Sequence, residues 1–174
     1  MKVILLYVSS IDGKITKWGQ KRIHLWTSPE DATYFRSTVE KKKLLVMGSS
    51  TFDTVHPQPE KGILRLVVTR NPETYKSYAV PGQLEFINST PTKLVEKLTN
   101  EGYKEMLLVS GKTLSTEFLK KKLVDELWLT IEPKIFGNGD GMVHDEKLDI
   151  QLKVVTVQKL NANGTLLVKY KIER

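Results

Sequence analysis

Short apolar, β-rich runs separated by helix signals constrain this chain more than any other feature. Val3 to Ser9, Leu44 to Met47, Leu64 to Thr69, Leu84 to Ile87 and Met106 to Val109 are continuous rather than alternating. A strand reads that way when both of its faces are buried, as in a parallel sheet covered on two sides. Helix signals stand between them. Ser28-Pro29-Glu30-Asp31 combines an N-cap serine, a proline at the first helical position and acids in the first turn. Ala32, Phe35, Arg36 and Val39 continue at helical spacing, Ser49 to Thr54 offers a short helix, and Thr90 or Thr92 can cap a helix carrying Leu94, Val95 and Leu98. Leu114, Phe118, Leu119 and Leu123 form a further stripe. The last third changes character: Leu127, Leu129 and Ile131 alternate with polar or amphipathic residues, as half-buried strands do. The runs 152–160 and 165–173 do the same, and Asn161-Ala162-Asn163-Gly164 joins them as a hairpin. The pattern predicts one α/β domain over 1–174, with a mostly parallel sheet ending in antiparallel strands.

Composition narrows the functional classes. The chain of 174 residues has no cysteine, which excludes disulfides, thiolate metal sites and a cysteine nucleophile. Its apolar N-terminal run is too short to span a bilayer and lacks a cleavage site, so it reads as a first strand, and a cytoplasmic protein without a membrane partner is expected. The net charge of +7 suits an anionic partner. The clusters Lys41-Lys42-Lys43 and Lys120-Lys121-Lys122 fall where helices end, however, and complement helix dipoles there. No arginine-rich groove or aromatic stacking pair points to nucleic acid. His24, His56 and His144 lack ligand spacing, so no metal is expected, and no GxSxG elbow is present.

The stretch Ser110-Gly111-Lys112-Thr113 resembles the end of a triphosphate-binding loop. Such a loop needs a glycine five residues before Gly111, where Met106 stands inside a strand. What remains is a strand, a small-residue turn and a helix start, which aims amide N–H groups at the crevice beside the sheet. Gly48-Ser49-Ser50-Thr51 repeats that arrangement, and Thr69-Arg70 ends a third strand with a hydroxyl and a guanidinium suited to a 2′-phosphate. Each has an ordinary structural reading as a capped turn or a surface arginine; two such turns in one small domain favour a shared dinucleotide. Asp12-Gly13 is an ordinary turn signal, and Asp31 suits a helix dipole unless its helix borders a pocket.

Taken in order, "SSIDGKI" (9–15), "WTSPEDATYFR" (26–36), "LLVMGSSTF" (44–52), "LVVTR" (66–70) and "LLVSGKTLSTEFLKKKLVDELWLTIEPKIFGNG" (107–139) resemble one family. It is the reductase domain of the bifunctional riboflavin-biosynthesis deaminase–reductase, within the dihydrofolate reductase-like superfamily. The resemblance implies a dihydrofolate reductase-like three-layer fold that binds NADPH. It places Gly48, Ser49, Ser50 and Thr51 against the cofactor phosphates, Thr69 and Arg70 at the 2′-phosphate, and Ser110, Gly111, Lys112, Thr113 and Leu114 at the pyrophosphate. Val8 and Ile15 would flank the nicotinamide. Asp12, Trp26, Ser28 and Asp31 would border the substrate, with Asp12 and Asp31 as catalytic candidates.

The reaction implied is hydride transfer from NADPH to C1 of a ribosylaminopyrimidine phosphate, by a stand-alone reductase, since no deaminase zinc motif is present. A homodimer, joined through the C-terminal strands, is implied as well. Two departures stand out. Ser110-Gly111 replaces a frequent Gly-Gly, and "TVHPQPEKGILR" (54–65) replaces an NPxLTxR-like stretch that meets the phosphorylated substrate. The resemblance therefore speaks more directly to the cofactor than to the substrate. A reductase of dihydrofolate, another pterin or another small heterocycle is the alternative within the superfamily. A non-catalytic nucleotide sensor or nucleic-acid-binding protein is the alternative from another class.

Overall fold

The computed structural model of the chain describes residues 1–173. Its elements follow the order β1 (Lys2–Ser10), α1 (Pro29–Lys42), β2 (Leu44–Gly48), α2 (Ser49–Val55), β3 (Leu64–Val68), β4 (Leu84–Ile87), α3 (Pro91–Asn100), β5 (Glu105–Leu108), α4 (Lys112–Lys120), β6 (Glu126–Glu132), β7 (Leu152–Lys159) and β8 (Leu166–Ile172). The strands form one eight-stranded sheet in the order β4-β3-β2-β5-β1-β6-β8-β7. Strands β4 to β6 of that order run parallel; β8 is antiparallel to both β6 and β7. The mostly parallel sheet with antiparallel C-terminal strands is thus as the sequence pattern predicts.

Alternation within β1 explains the layering. Val3, Leu5 and Tyr7 pack on one face with Leu94 and Leu98 of α3 and Phe118 of α4. Ile4 and Leu6 pack on the other with Val39 of α1 and Phe52 of α2. Successive side chains of a strand point to opposite faces, so a strand apolar at every position requires both covers. The result is three layers, helices on both sides of one sheet.

Local chemistry sets the helix ends. The Ser28 side chain accepts the amide of Asp31, Pro29 opens α1, and Lys43 closes it in a left-handed conformation. Thr90 caps α3 in the same way, accepting from the Lys93 amide. By contrast α2 and α4 start after Gly48 and Gly111, and neither has a side-chain cap. Their first amides are left to other acceptors.

One expectation is corrected. The alternating run 152–160 reads as half-buried, yet every residue of β7 is exposed, including Val154, Val155 and Val157. The strand lies at the sheet edge beyond β8, and no layer of the molecule covers either face there.

Candidate active site

The C-terminal ends of β1, β2, β3 and β5 surround a cleft of about 960 Å³. In open α/β sheets this is where ligands collect, because the turns there present helix N-termini and leave the sheet edge free. All the residues expected to touch a cofactor line it: Val8, Ile15, Gly48, Ser49, Ser50, Thr51, Thr69, Arg70, Ser110, Gly111, Lys112, Thr113 and Leu114. The two glycine-started helices, α2 and α4, thus open onto the same space. Arg70 is exposed at its rim and makes no ion pair among the described residues. Ser110 has no positive φ, so a serine in place of glycine carries no strain there. Its hydroxyl is 2.7 Å from Ser115 Oγ, which in turn accepts from the buried Tyr7 hydroxyl at 2.6 Å. That chain of hydroxyls ties the turn to the middle of β1.

Of the four residues expected around a substrate, only Asp31 lines the cleft. It is 7% exposed. Burial pushes its carboxyl up to about 6, nearby Thr130 holds it down, and the charge of Glu132 raises it further. Thr130 Oγ1, although close, has no hydrogen-bond partner of ordinary geometry among the described residues. The Tyr34 hydroxyl, one helical turn from Asp31 and also on the cleft, is similarly buried and unpartnered. An apolar wall of Leu6, Ile23, Phe35 and Val55 faces these polar groups. A ligand seated there meets one acid, the Tyr34 side chain and mostly hydrocarbon.

Asp12, Trp26 and Ser28 lie behind the cleft rather than on it. The Asp12 carboxylate accepts from Ser10 Oγ at 2.6 Å and from the amides of Phe136 and Gly137 at 3.1 and 2.7 Å. The Ser10 hydroxyl, helped by those amides, holds the carboxyl down to about 2. Asp12 is therefore the anchor of the loop after β6. Trp26 is buried, edge-on to Phe136 at 5.1 Å, with its indole N–H unpartnered. Ser28 caps α1 and so fixes Asp31.

The same loop closes the cleft from above. Asp140 Oδ1 sits 2.6 Å from Lys112 Nζ, and the Asp140 amide donates to Thr16 Oγ1 at 2.7 Å. Lys112, by hydrogen bond and charge, keeps the Asp140 carboxyl below its usual range. Gly139 allows the approach: a Cβ there would lie 2.0 Å from the Thr16 carbonyl oxygen. Sequence reasoning missed Asp140, Lys21, Tyr34, Phe35 and the turn Asn88-Ser89-Thr90-Pro91, all on the cleft. The last had a legible signal, a strand end followed by a capped helix. The others are assembled by long-range packing.

The family model described as "RibD C-terminal domain" matches residues 1–166. The chain belongs to the RibD C-terminal domain family. The chain is 25% identical to the uncharacterized protein YyaP of Bacillus subtilis over 96% of its own length and 93% of the other's. Among solved structures, a putative riboflavin biosynthesis protein from Shewanella sp. PV-4 aligns with a TM-score of 0.81, 22% identity and full coverage of both chains. The Thermotoga maritima diaminohydroxyphosphoribosylaminopyrimidine deaminase/5-amino-6-(5-phosphoribosylamino)uracil reductase aligns at 0.76 and 19% identity, covering 98% of this chain and 56% of that one. Dihydrofolate reductase from Enterococcus faecalis, complexed with NADP(H), aligns at 0.65 and 19%, over 99% and 97%. The fold is dihydrofolate reductase-like, as in that enzyme.

Proposed function

We propose that the protein is an NADPH-dependent reductase of the riboflavin-pathway type, acting as a single domain over 1–174. The observation that carries the reading is the pair of helices without side-chain caps, α2 and α4, opening onto one cleft whose rim holds Arg70, which has no ion pair among the described residues. Free amides and a positive dipole end suit a pyrophosphate, and a guanidinium suits a 2′-phosphate. Gly48, Ser49, Ser50 and Thr51 would meet the phosphates from α2, and Ser110 to Leu114 from α4. Thr69 and Arg70 would hold the adenosine end, while Val8 and Ile15 flank the nicotinamide. Asp31 and the Tyr34 hydroxyl, without a partner among the described residues, fit a polar ring on the substrate side.

When bound, NADPH supplies the hydride that C1 of a 5-amino-6-(5-phosphoribosylamino)uracil accepts, and the ring oxygen then needs a proton. Asp31 would deliver it: its carboxyl lines the cleft and, pushed up to about 6 by burial, is still partly protonated near neutral pH. The cleft would hold the two reactants side by side. Ser28 fixes Asp31 by capping α1, Trp26 packs on Phe136, and Asp12 and Lys112 hold the loop that covers the site.

A reductase of dihydrofolate or a similar heterocycle is the second reading, and one observation favours it. The divergent segment 54–65 lends only Thr54 and Val55 to the cleft, and its Arg65 is paired at 2.9 Å with Glu60. No cation of that segment lines the cleft among the described residues. The deciding experiment follows NADPH oxidation with 5-amino-6-(5-phosphoribosylamino)uracil and with dihydrofolate. Oxidation with the first supports the riboflavin-pathway reading, with the second the pterin reading. Binding of nucleotide without oxidation of either leaves the non-catalytic sensor. We infer further that the chain works in the cytoplasm as a homodimer joined along β7. The supports are a cysteine-free sequence, the lack of any helix long and apolar enough to cross a membrane among the described residues, and the bare apolar edge.

A further inference from the structure

The proposed chemistry leaves one buried acid without a task. Glu132, the last residue of β6, is 2% exposed. Its Oε1 accepts the Ser28 amide at 2.6 Å, and its Oε2 accepts the Thr165 hydroxyl at 2.8 Å. No cation pairs with it among the described residues. A carboxylate that deep is costly to keep unless other groups solvate it. Here the helix α1 does so from its N-terminal end, with the Ser28 N–H and the positive end of its dipole. Thr165 is held in turn by Asn161, whose Nδ2 donates to Thr165 Oγ1 at 2.9 Å and to Glu30 Oε2 at 3.1 Å. One network thus runs from the β7–β8 turn through the end of β6 to the first turn of α1. That turn carries Asp31, whose own amide is fixed by the Ser28 side chain.

We propose that Glu132 is the positioning residue of this site: it pins the first turn of α1 to the end of β6 and lays a second negative charge beside Asp31. The inference rests on the reading of Asp31 as the proton-handling acid. Spacing supports it, because Thr130 and Glu132 are two apart on one strand and so face the same way, toward α1. The charge of Glu132 is also among the causes that raise the Asp31 carboxyl, after burial. The other titratable groups around Asp31 are Glu30 and Tyr34 on its own helix, with Tyr7, Lys21, Arg70, Lys112, Glu117 and Asp140 elsewhere on the cleft. Lys112 and Asp140 largely cancel as a pair. Glu132 is the buried negative group that the fold brings up from the strand side.

The test is a carboxyl titration followed by ¹³C NMR, in the wild type and in Glu132→Gln, with Asp31→Asn to assign the resonance. The Asp31 midpoint near 6 in the wild type should fall by about one pH unit in Glu132→Gln, the effect of removing a near like charge. The alkaline limb of kcat should move down with it, so that kcat at pH 7 drops about tenfold while KM for NADPH stays put. The activity arm uses whichever of 5-amino-6-(5-phosphoribosylamino)uracil and dihydrofolate the wild type reduces. An unmoved midpoint in a folded Glu132→Gln protein would overturn the inference, and so would a wild-type midpoint at the ordinary 3.8. If Glu132→Gln does not fold, Thr165→Val takes its place. It removes a dipole aimed at Glu132, leaves more of the anion's field on Asp31, and should raise the midpoint; no change contradicts us. A wild type that oxidises no NADPH removes the reductase reading instead, and the carboxyl titration still judges Glu132 independently.

Discussion

Burying a carboxyl without a cation beside it is costly, and the chain does this at the edge of its cleft with Asp31. The folded-state value of about 6 lies above the ordinary 3.8, so the folded protein binds more protons than the unfolded chain between those values. Stability attached to this group is therefore intact below about pH 4 and is lost as pH rises through 6. The gap corresponds to about 3 kcal/mol as an upper figure. Asp31→Asn should accordingly be more stable than the wild type in urea at pH 8, by up to about that amount, and scarcely different at pH 4. The same variant should lose about 100-fold or more in turnover with little change in NADPH affinity. A variant with unchanged turnover, or one equally stabilised at both pH values, would remove Asp31 from this role. Asp12 has the opposite sign. Its depressed carboxyl supports the fold above its ordinary value, and that support fades as pH falls toward 2.

At the scale of elements, the helix starts around the cleft differ in how they are capped. Helices α1 and α3 close their first turn with Ser28 and Thr90, while α2 and α4 leave theirs open toward the cleft. This much was legible in the chain, because glycine after a buried strand and a hydroxyl before a proline are local signals. The loop over the cleft was not. Its contacts join Asp12 to Phe136 and Gly137, and Lys112 to Asp140, across separations that no local pattern encodes. The partner of Ser28, Glu132, is 104 residues away, so its role was invisible beside a plain alternating strand. For β7 the alternation itself misled, since the pattern shows that one face can be covered and not that anything covers it. Gly139 gives the loop its own test. Gly139→Ala places a methyl group 2.0 Å from a backbone oxygen, and should destabilise the protein by about 1–3 kcal/mol in urea unfolding. An unchanged urea midpoint would show that the loop does not depend on this approach.

The whole molecule presents one large cleft at one end of its parallel strands and a bare apolar edge at the other side of the sheet. Edges of that kind are usually blunted or paired. On β7, Val155 and Val157 are 60% and 61% exposed, with Lys153 and Lys159 outside them. Replacing both valines with lysine should convert a dimer to a monomer in sedimentation velocity without altering the fold. A wild-type monomer at micromolar concentration would refute the pairing. The most direct measurement of the central claim is calorimetric titration of NADPH and NADH into the wild type and Arg70→Ala. The account predicts that NADPH binds the wild type more tightly than NADH. Arg70→Ala should weaken NADPH by about 10- to 100-fold and leave NADH nearly unchanged. Equal losses for the two nucleotides, or no NADPH binding at micromolar concentration, would contradict it.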